Sequence, residues 1–282
     1  MRRSFLTLLF AASALAPNLA CAQQGFHRGP FGLLSPRDTT DTTVHPEVKL
    51  DSISVDLPTV HILHFKGRAD SLSWERAKAA AESADGYRLV VSLQDRRIWV
   101  MADQDTILSA PVAVAKGTTL EYQGRSWKFE TPRGRRTVRM KEADPIWIPP
   151  DWLYAEVAEE HSLKLGRIPD RGVKLSDGRT LKVKDDEVGV FSADSGFVPL
   201  MLDEHIIFDS TLFIPPQGTK NRRVNGALGK FRLDLGEGYL LHGTPYKDSI
   251  GMAATHGCIR LRDDDIAWLY DHVPVGTHVY IY

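Results

Sequence analysis

Residues 242–260 read His242-Gly243-Thr244-Pro245-Tyr246-Lys247-Asp248-Ser249-Ile250-Gly251-Met252-Ala253-Ala254-Thr255-His256-Gly257-Cys258-Ile259-Arg260. One cysteine thus stands beside a glycine and two histidines within a single short window. A thiol is a strong nucleophile only as thiolate, and a neighbouring imidazole is the usual group that takes its proton. The chemistry this permits is acyl transfer: Cys258 attacks a carbonyl, and His242 accepts the thiol proton and returns it to the leaving amine. His256 is either a second base or a residue that supports the loop, with support favoured. Gly257 lets the chain approach a reacting carbonyl, and the amides of Gly257 and Cys258 are the candidate oxyanion donors. Zinc binding by His242, His256 and Cys258 matches no common ligand spacing and lacks a fourth ligand, so neither a metal nor another cofactor is expected.

These side chains need elements that bring them together. Gly238–His242 reads as a strand ending at the histidine, and the loop Gly243–Thr255 returns Cys258 to that strand end. Such a loop is long enough to return and short enough to fix geometry. A catalytic base also needs an orienting group. No Asp or Asn lies at an obvious spacing, which leaves a backbone carbonyl near Gly243. On the substrate side the candidates are Arg260, Thr255, Gly243 and Tyr239. Arg260 suits bidentate carboxylate binding, or equally a surface ion pair with Asp263 or Asp264. Thr255 is read chiefly as a hydrogen-bonder within the loop. Tyr239 and Tyr246 either line the cleft or pack in the core or at the rim, with packing favoured.

The N-terminus reads as an export signal. Met1-Arg2-Arg3 is basic, Ser4–Leu15 is apolar or small, and Ala20-Cys21-Ala22 fits a small-x-small cleavage site, so the mature chain would start at Gln23. The apolar run is too short to span a bilayer, and no stable membrane insertion is expected after cleavage. Of the two cysteines, Cys21 leaves with the signal, and Cys258 then has no partner for an internal disulfide. Lipidation at Cys21 is the rival reading, weakened by Asn18 where a lipid-attachment motif wants Leu. Either way the expected location is the periplasm or cell envelope. The formal net charge is −1 over 282 residues. Losing Arg2 and Arg3 and no acid takes it to −3, and nothing in this balance points to nucleic acid or a membrane surface.

Along the rest of the chain, residues 23–86 read as a linker with a short helical lead-in. The helix falls at Ser71–Ala84, capped by Ser71 or Ser73. From residue 87 the pattern turns to strands. Tyr87–Leu93 and Arg97–Met101 form a hairpin and Ile107–Ala115 a third strand. Thr131-Pro132-Arg133-Gly134 suits a type I turn leading into a strand at Thr137–Met140. Asp151 is read as the cap of a helix, with Leu153 and Val157 on one face. Residues 166–200 are read as carrying a hairpin or two, within an insertion around 150–220. Further strands are expected at His205–Phe208, Thr211–Ile214, Phe231–Leu235, Gly238–His242 and His278–Tyr282, with a helix at Ile266–His272 capped by Asp264. Many short strands and few helices imply a mainly β domain, a sandwich or barrel-like arrangement of mixed sheets. The basic run Lys128, Arg133, Arg135, Arg136, Arg139 and Lys141 is a solvated strand face in preference to a site for anionic wall polymer. Asp185-Asp186-Glu187 is an acidic turn in preference to a calcium loop.

The stretch from His242 to Arg260 resembles the signature of the L,D-transpeptidase family (the YkuD-like catalytic domain). That signature runs His, a variable loop, then Ser/Thr-His-Gly-Cys, an apolar residue and Arg. Thr131-Pro132-Arg133-Gly134 resembles the family's TPxG segment. Asn225-Gly226-Ala227-Leu228-Gly229 and the closing Asp264–Tyr282 also fit, so the resemblance covers residues 87–282. It implies a cysteine acyltransferase of the bacterial envelope acting on peptidoglycan stem peptides. Cys258 would attack the L-centre carbonyl of the diamino acid at position three and release D-alanine. The acyl group would pass to another stem as a 3→3 cross-link, or to a lysine of an envelope protein. Water as acceptor would make the chain a carboxypeptidase or amidase, and a non-catalytic wall-binding protein is the remaining alternative. The resemblance also implies acylation by carbapenems. The chain departs from many members at Arg262 and Asp263, where they carry Asn, and has no recognisable peptidoglycan-binding module.

Overall fold

Two sheets and one helix share the core that carries the site. A computed structural model describes residues 65–282; the export signal, Cys21 and most of the linker lie outside the described residues. One sheet has five strands in the order Asp105–Pro111, Arg97–Ala102, Tyr87–Ser92, His278–Ile281, Gly134–Thr137. All neighbours in it are antiparallel except Tyr87–Ser92 and His278–Ile281, which run parallel. The second sheet has four strands in the order Ile259–Arg260, Leu240–His242, Phe231–Asp234, Met140–Ala143.

Alternation along these strands sends one set of apolar side chains inward. Leu89, Val91, Ile98, Val100, Val279 and Ile281 of the first sheet join Leu233, Leu241 and Ile259 of the second in one buried cluster. Helix α3 (Asp263–His272) adds Ile266 and Leu269 to it. The mainly β expectation therefore holds, with the strands arranged as mixed sheets around a shared core.

Several boundaries shift for physical reasons. Helix α1 is Arg68–Glu82 and starts at Gly67 rather than at a serine. Asp70 in its first turn accepts the Lys66 N–H at 3.1 Å, so a carboxylate fixes the chain entry in place of a serine cap. Helix α2 is Asp151–Glu160 with Pro150 at the cap position. Asp151 does not cap it, because its carboxylate is bound by Arg222 at 2.9 Å, by Arg125 at 3.2 Å and by Arg167. Helix α3 begins at Asp263, so Asp264 lies within its first turn, where three acids suit the positive end of the helix dipole.

Thr131–Gly134 is an extended approach to a strand that begins at Gly134, not a type I turn. The expected Thr137–Met140 strand is split at Val138 and Arg139 between the two sheets. The basic run is correspondingly dispersed. Arg133 pairs with Asp70, Arg136 pairs with Glu237 at 2.9 Å, and Lys141 donates to the Tyr270 carbonyl.

The 150–220 region holds more sheet than its composition announces. Val173–Lys174, Thr180–Lys184, Glu187–Ser192 and Gly196–Pro199 form a continuous antiparallel sheet. It has its own buried cluster, including Leu181, Val188, Ile206 and Phe213. Lys182 and Lys184 put charge on the outer face, which masks the strand pattern. Asp185 and Asp186, at φ 50° and 61°, make the two-residue hairpin turn. Among the described residues no helix is long and apolar enough to cross a membrane.

Candidate active site

Strand register sets the site. Leu240–His242 runs parallel to Ile259–Arg260, with Leu241 opposite Ile259 and His242 opposite Arg260. One step back along the same register, Cys258 faces Leu240. Alternate residues of a strand share a face, so His242, Arg260, Leu240 and Cys258 all point to one side of the two-strand edge. Cys258 lies just before Ile259–Arg260, and its backbone is two residues off register from that of His242. At rest the thiol donates to the Gly238 carbonyl at 3.7 Å, and the Leu240 N–H supports the sulfur.

His242 is 4% exposed. Its Nδ1 lies 2.6 Å from the Gly243 carbonyl, the backbone group toward which the sequence pointed. A carbonyl only accepts, so Nδ1 carries the proton and Nε2 is left as the basic nitrogen. The Asn225–Gly229 segment cups the same residue. The Leu228 backbone lies close to the ring, and a side chain at Gly229 (φ +67°) would sit 2.7 Å from the Gly243 backbone. Burial, and next the Arg260 charge, push the His242 pKa down to about 3 against the pull of the two backbone contacts. Burial raises the Cys258 thiol, opposed by the Leu240 N–H and Arg260. Both shifts favour a neutral imidazole and a protonated thiol at rest.

Burying a neutral histidine links stability to pH. Between the ordinary imidazole pKa of 6.5 and about 3, the unfolded chain binds a proton at this position and the folded chain does not. Stability contributed by His242 is thus present above 6.5 and is lost as pH falls. His205 and His256, also lowered by burial, act in the same direction. The urea midpoint is expected to be lower at about pH 5.5 than at about pH 7.5, with a shallower difference in His242→Gln. Equal midpoints at both pH values would contradict it.

The loop before Cys258 is held from several sides. Thr255, 2% exposed, donates to the Cys258 carbonyl at 2.6 Å and accepts the Gly257 N–H at 3.3 Å. Its hydroxyl is spent on the loop, which corrects its place among substrate contacts. The same bond corrects the two-amide oxyanion expectation, because the Gly257 N–H is turned to Thr255. The Gly257 carbonyl accepts from Thr131 Oγ1 at 2.9 Å, and Thr131 Oγ1 accepts the Ala115 N–H at 3.1 Å. In a trans peptide the N–H points opposite the carbonyl, so Thr131 fixes the direction of the Cys258 N–H, the remaining candidate oxyanion donor. Gly257 sits at φ +145°, and a side chain there would meet the Tyr239 ring at 3.2 Å and the Glu130 carbonyl at 3.3 Å. Tyr239 therefore packs beneath the loop, with the Arg136 guanidinium 4.7 Å from its ring centre.

Thr131 belongs to a motif visible in the sequence, but its bond crosses 126 positions and no local pattern announces it. Thr131→Val keeps the shape and removes the hydroxyl. It is expected to slow acylation of Cys258 roughly tenfold or more, with Thr131→Ser restoring most of the rate. A wild-type rate in the valine variant would contradict this role.

Arg260 is 4% exposed and reaches Ser249 Oγ at 3.5 Å, which corrects the surface ion-pair alternative. Gly243 is confined by packing, since a side chain there would sit 2.9 Å from Asp263 Oδ1 and 3.2 Å from Ile266. His256 is clamped against helix α2. Its ring stacks on Trp152 at 3.9 Å, meets the edge of Phe129 at 4.5 Å, and places Nε2 2.9 Å from Glu156 Oε2.

The family model of the YkuD L,D-transpeptidase catalytic domain matches residues 86–281. A probable L,D-transpeptidase ErfK/SrfK of Salmonella typhimurium is 29% identical over 68% of this chain and 43% of its own length. The probable L,D-transpeptidase YbiS of Escherichia coli is 46% identical over 18% of this chain and 17% of its own. The matched stretches thus span less than half of these relatives. Among solved structures, an L,D-transpeptidase from Xylanimonas cellulosilytica aligns at 17% identity and TM-score 0.37, covering 73% of this chain and 69% of the other. One from Mycobacterium smegmatis aligns at 20% identity and TM-score 0.37, covering 71% and 59%.

Proposed function

The chain belongs to the YkuD family of L,D-transpeptidase catalytic domains, and on that premise we propose that it is an exported cysteine acyltransferase acting on peptidoglycan stem peptides. The observation that carries this reading is that His242 ends one strand and Cys258 immediately precedes the parallel strand paired with it, with the histidine held neutral and oriented by Gly243.

Cys258 gives up its Gly238 contact and attacks the carbonyl that follows the L-centre of the diamino acid at stem position three. The thiol proton passes to Nε2 of His242, and the imidazolium keeps its Nδ1–H on the Gly243 carbonyl. The tetrahedral oxyanion is met by the Cys258 N–H. The C–N bond then breaks, His242 returns its proton to the departing D-alanine amine, and a thioester remains on Cys258. An acceptor amine attacks this thioester, loses a proton to His242, and expels the sulfur, which is reprotonated. The acceptor is the side-chain amine of a second stem, which gives a 3→3 cross-link. A lysine of an envelope protein offers the same amine chemistry. Arg260 contributes a fixed positive charge beside the nucleophile that favours thiolate over thiol.

Water as acceptor would replace cross-linking by trimming. Incubating the mature chain with purified disaccharide tetrapeptide separates the two. Dimers with release of D-alanine support transfer, whereas shortened monomers alone would overturn it in favour of hydrolysis.

A further inference from the structure

The histidine beside the nucleophile is tied to a helix outside the catalytic sheets. Trp152 and Glu156 lie four residues apart on one face of α2, and both meet His256: the indole by stacking, the carboxylate at 2.9 Å. Lys116 closes the arrangement. Its Nζ lies 2.5 Å from Glu156 Oε1, while its backbone N–H donates to the Thr255 carbonyl at 2.8 Å. Thus the residue before His256 and the ring of His256 itself are both anchored to one carboxylate-centred cluster. The next two residues are Gly257 and Cys258.

From this juxtaposition we infer that Glu156 is a positioning residue, through which helix α2 holds His256 and thereby sets the placement of the Gly257–Cys258 backbone for attack. The inference rests on the reading of Cys258 as nucleophile. The charge states agree with the geometry. Burial pushes Glu156 up, but the bonds from His256 and Lys116 outweigh it and hold the carboxyl down at about 2. Burial lowers the His256 imidazole despite Glu156. An ionised carboxylate therefore accepts an Nε2–H from a neutral ring, and the ring, wedged between Trp152 and Phe129, has little freedom to leave. Without that acceptor a buried N–H would be left unpaired, and the ring and its loop would move to satisfy it.

The test compares Glu156→Ala and Glu156→Gln in the mature chain by three readouts: carbapenem acylation of Cys258, iodoacetamide alkylation of Cys258, and the NMR signal of the His256 Nε2–H. Alanine is expected to slow acylation roughly 10–100-fold, as small misplacements of reacting groups do. It should change alkylation by about threefold or more and abolish the Nε2–H signal. Glutamine still offers an oxygen to Nε2–H and is expected to recover most of the rate. Equal losses in both variants would overturn the inference and assign the effect to the charge pair with Lys116. Unchanged acylation and alkylation in a folded alanine variant would overturn it as well. Should alanine not fold, Glu156→Asp keeps the charge but falls a methylene short; slowed acylation supports the role, and a wild-type rate overturns it. A wild-type chain that forms no adduct would sink the functional reading instead, and the alkylation comparison still decides the role of Glu156.

Discussion

The wild-type chain is expected to form a covalent adduct with a carbapenem, and Cys258→Ala to abolish it, read as a mass increment on the intact protein. The expected effect is complete loss rather than a slower rate. Cys258 is the free cysteine among the described residues, and no other thiol is available there to carry a thioester. The substitution removes a single sulfur atom and keeps the backbone, so the surrounding sheets have little to repack. Circular dichroism is expected to be unchanged. An adduct surviving in the alanine variant would mean that another nucleophile carries the reaction, and the assignment would fail.

His242→Gln is expected to lower the acylation rate constant by about 10²–10⁴-fold, the range typical for a lost general base. Glutamine is close in size and can still donate to the Gly243 carbonyl, so the buried site keeps its packing and hydrogen bond. It cannot accept the thiol proton. Raising the pH should recover part of the loss, because hydroxide then supplies thiolate directly from a thiol that burial holds above its ordinary value. A glutamine variant with wild-type rate near neutral pH would show that His242 is structural. Little pH recovery in a folded variant would show that it stabilises a later step rather than deprotonating the thiol.

The sequence made the reacting groups legible and left their supports mostly hidden, for a physical reason. His242, Cys258 and the Gly243 carbonyl lie at or beside the ends of two neighbouring strands joined by one loop, so local spacing carries their relation. Thr131 and Glu156 reach the loop across 126 and 100 positions, a closeness that depends on how the two sheets and α2 pack. Arg260 is similar: its motif position was legible, but its burial was not, and burial turns a surface ion-pair candidate into a fixed charge beside the site.

The fold shows the same division. Thr211–Ile214 is recovered residue for residue and His278–Ile281 with one residue of overreach, since each is a short, nearly continuous apolar run preceded by turn residues. The 173–199 sheet is hard to see in the sequence because its lysine-bearing outer face breaks the apolar pattern. Asp151 had the chemistry of a helix cap, but three arginines compete for its carboxylate.

The most direct test of the account is to trap the acyl-enzyme with a stem tetrapeptide at low pH and map it by peptide mass. The account predicts a tripeptidyl thioester on the peptide that contains Cys258, formed with release of one equivalent of D-alanine. D-alanine released with Cys258 unmodified at every time point, or an acyl group found on any other residue, would contradict it.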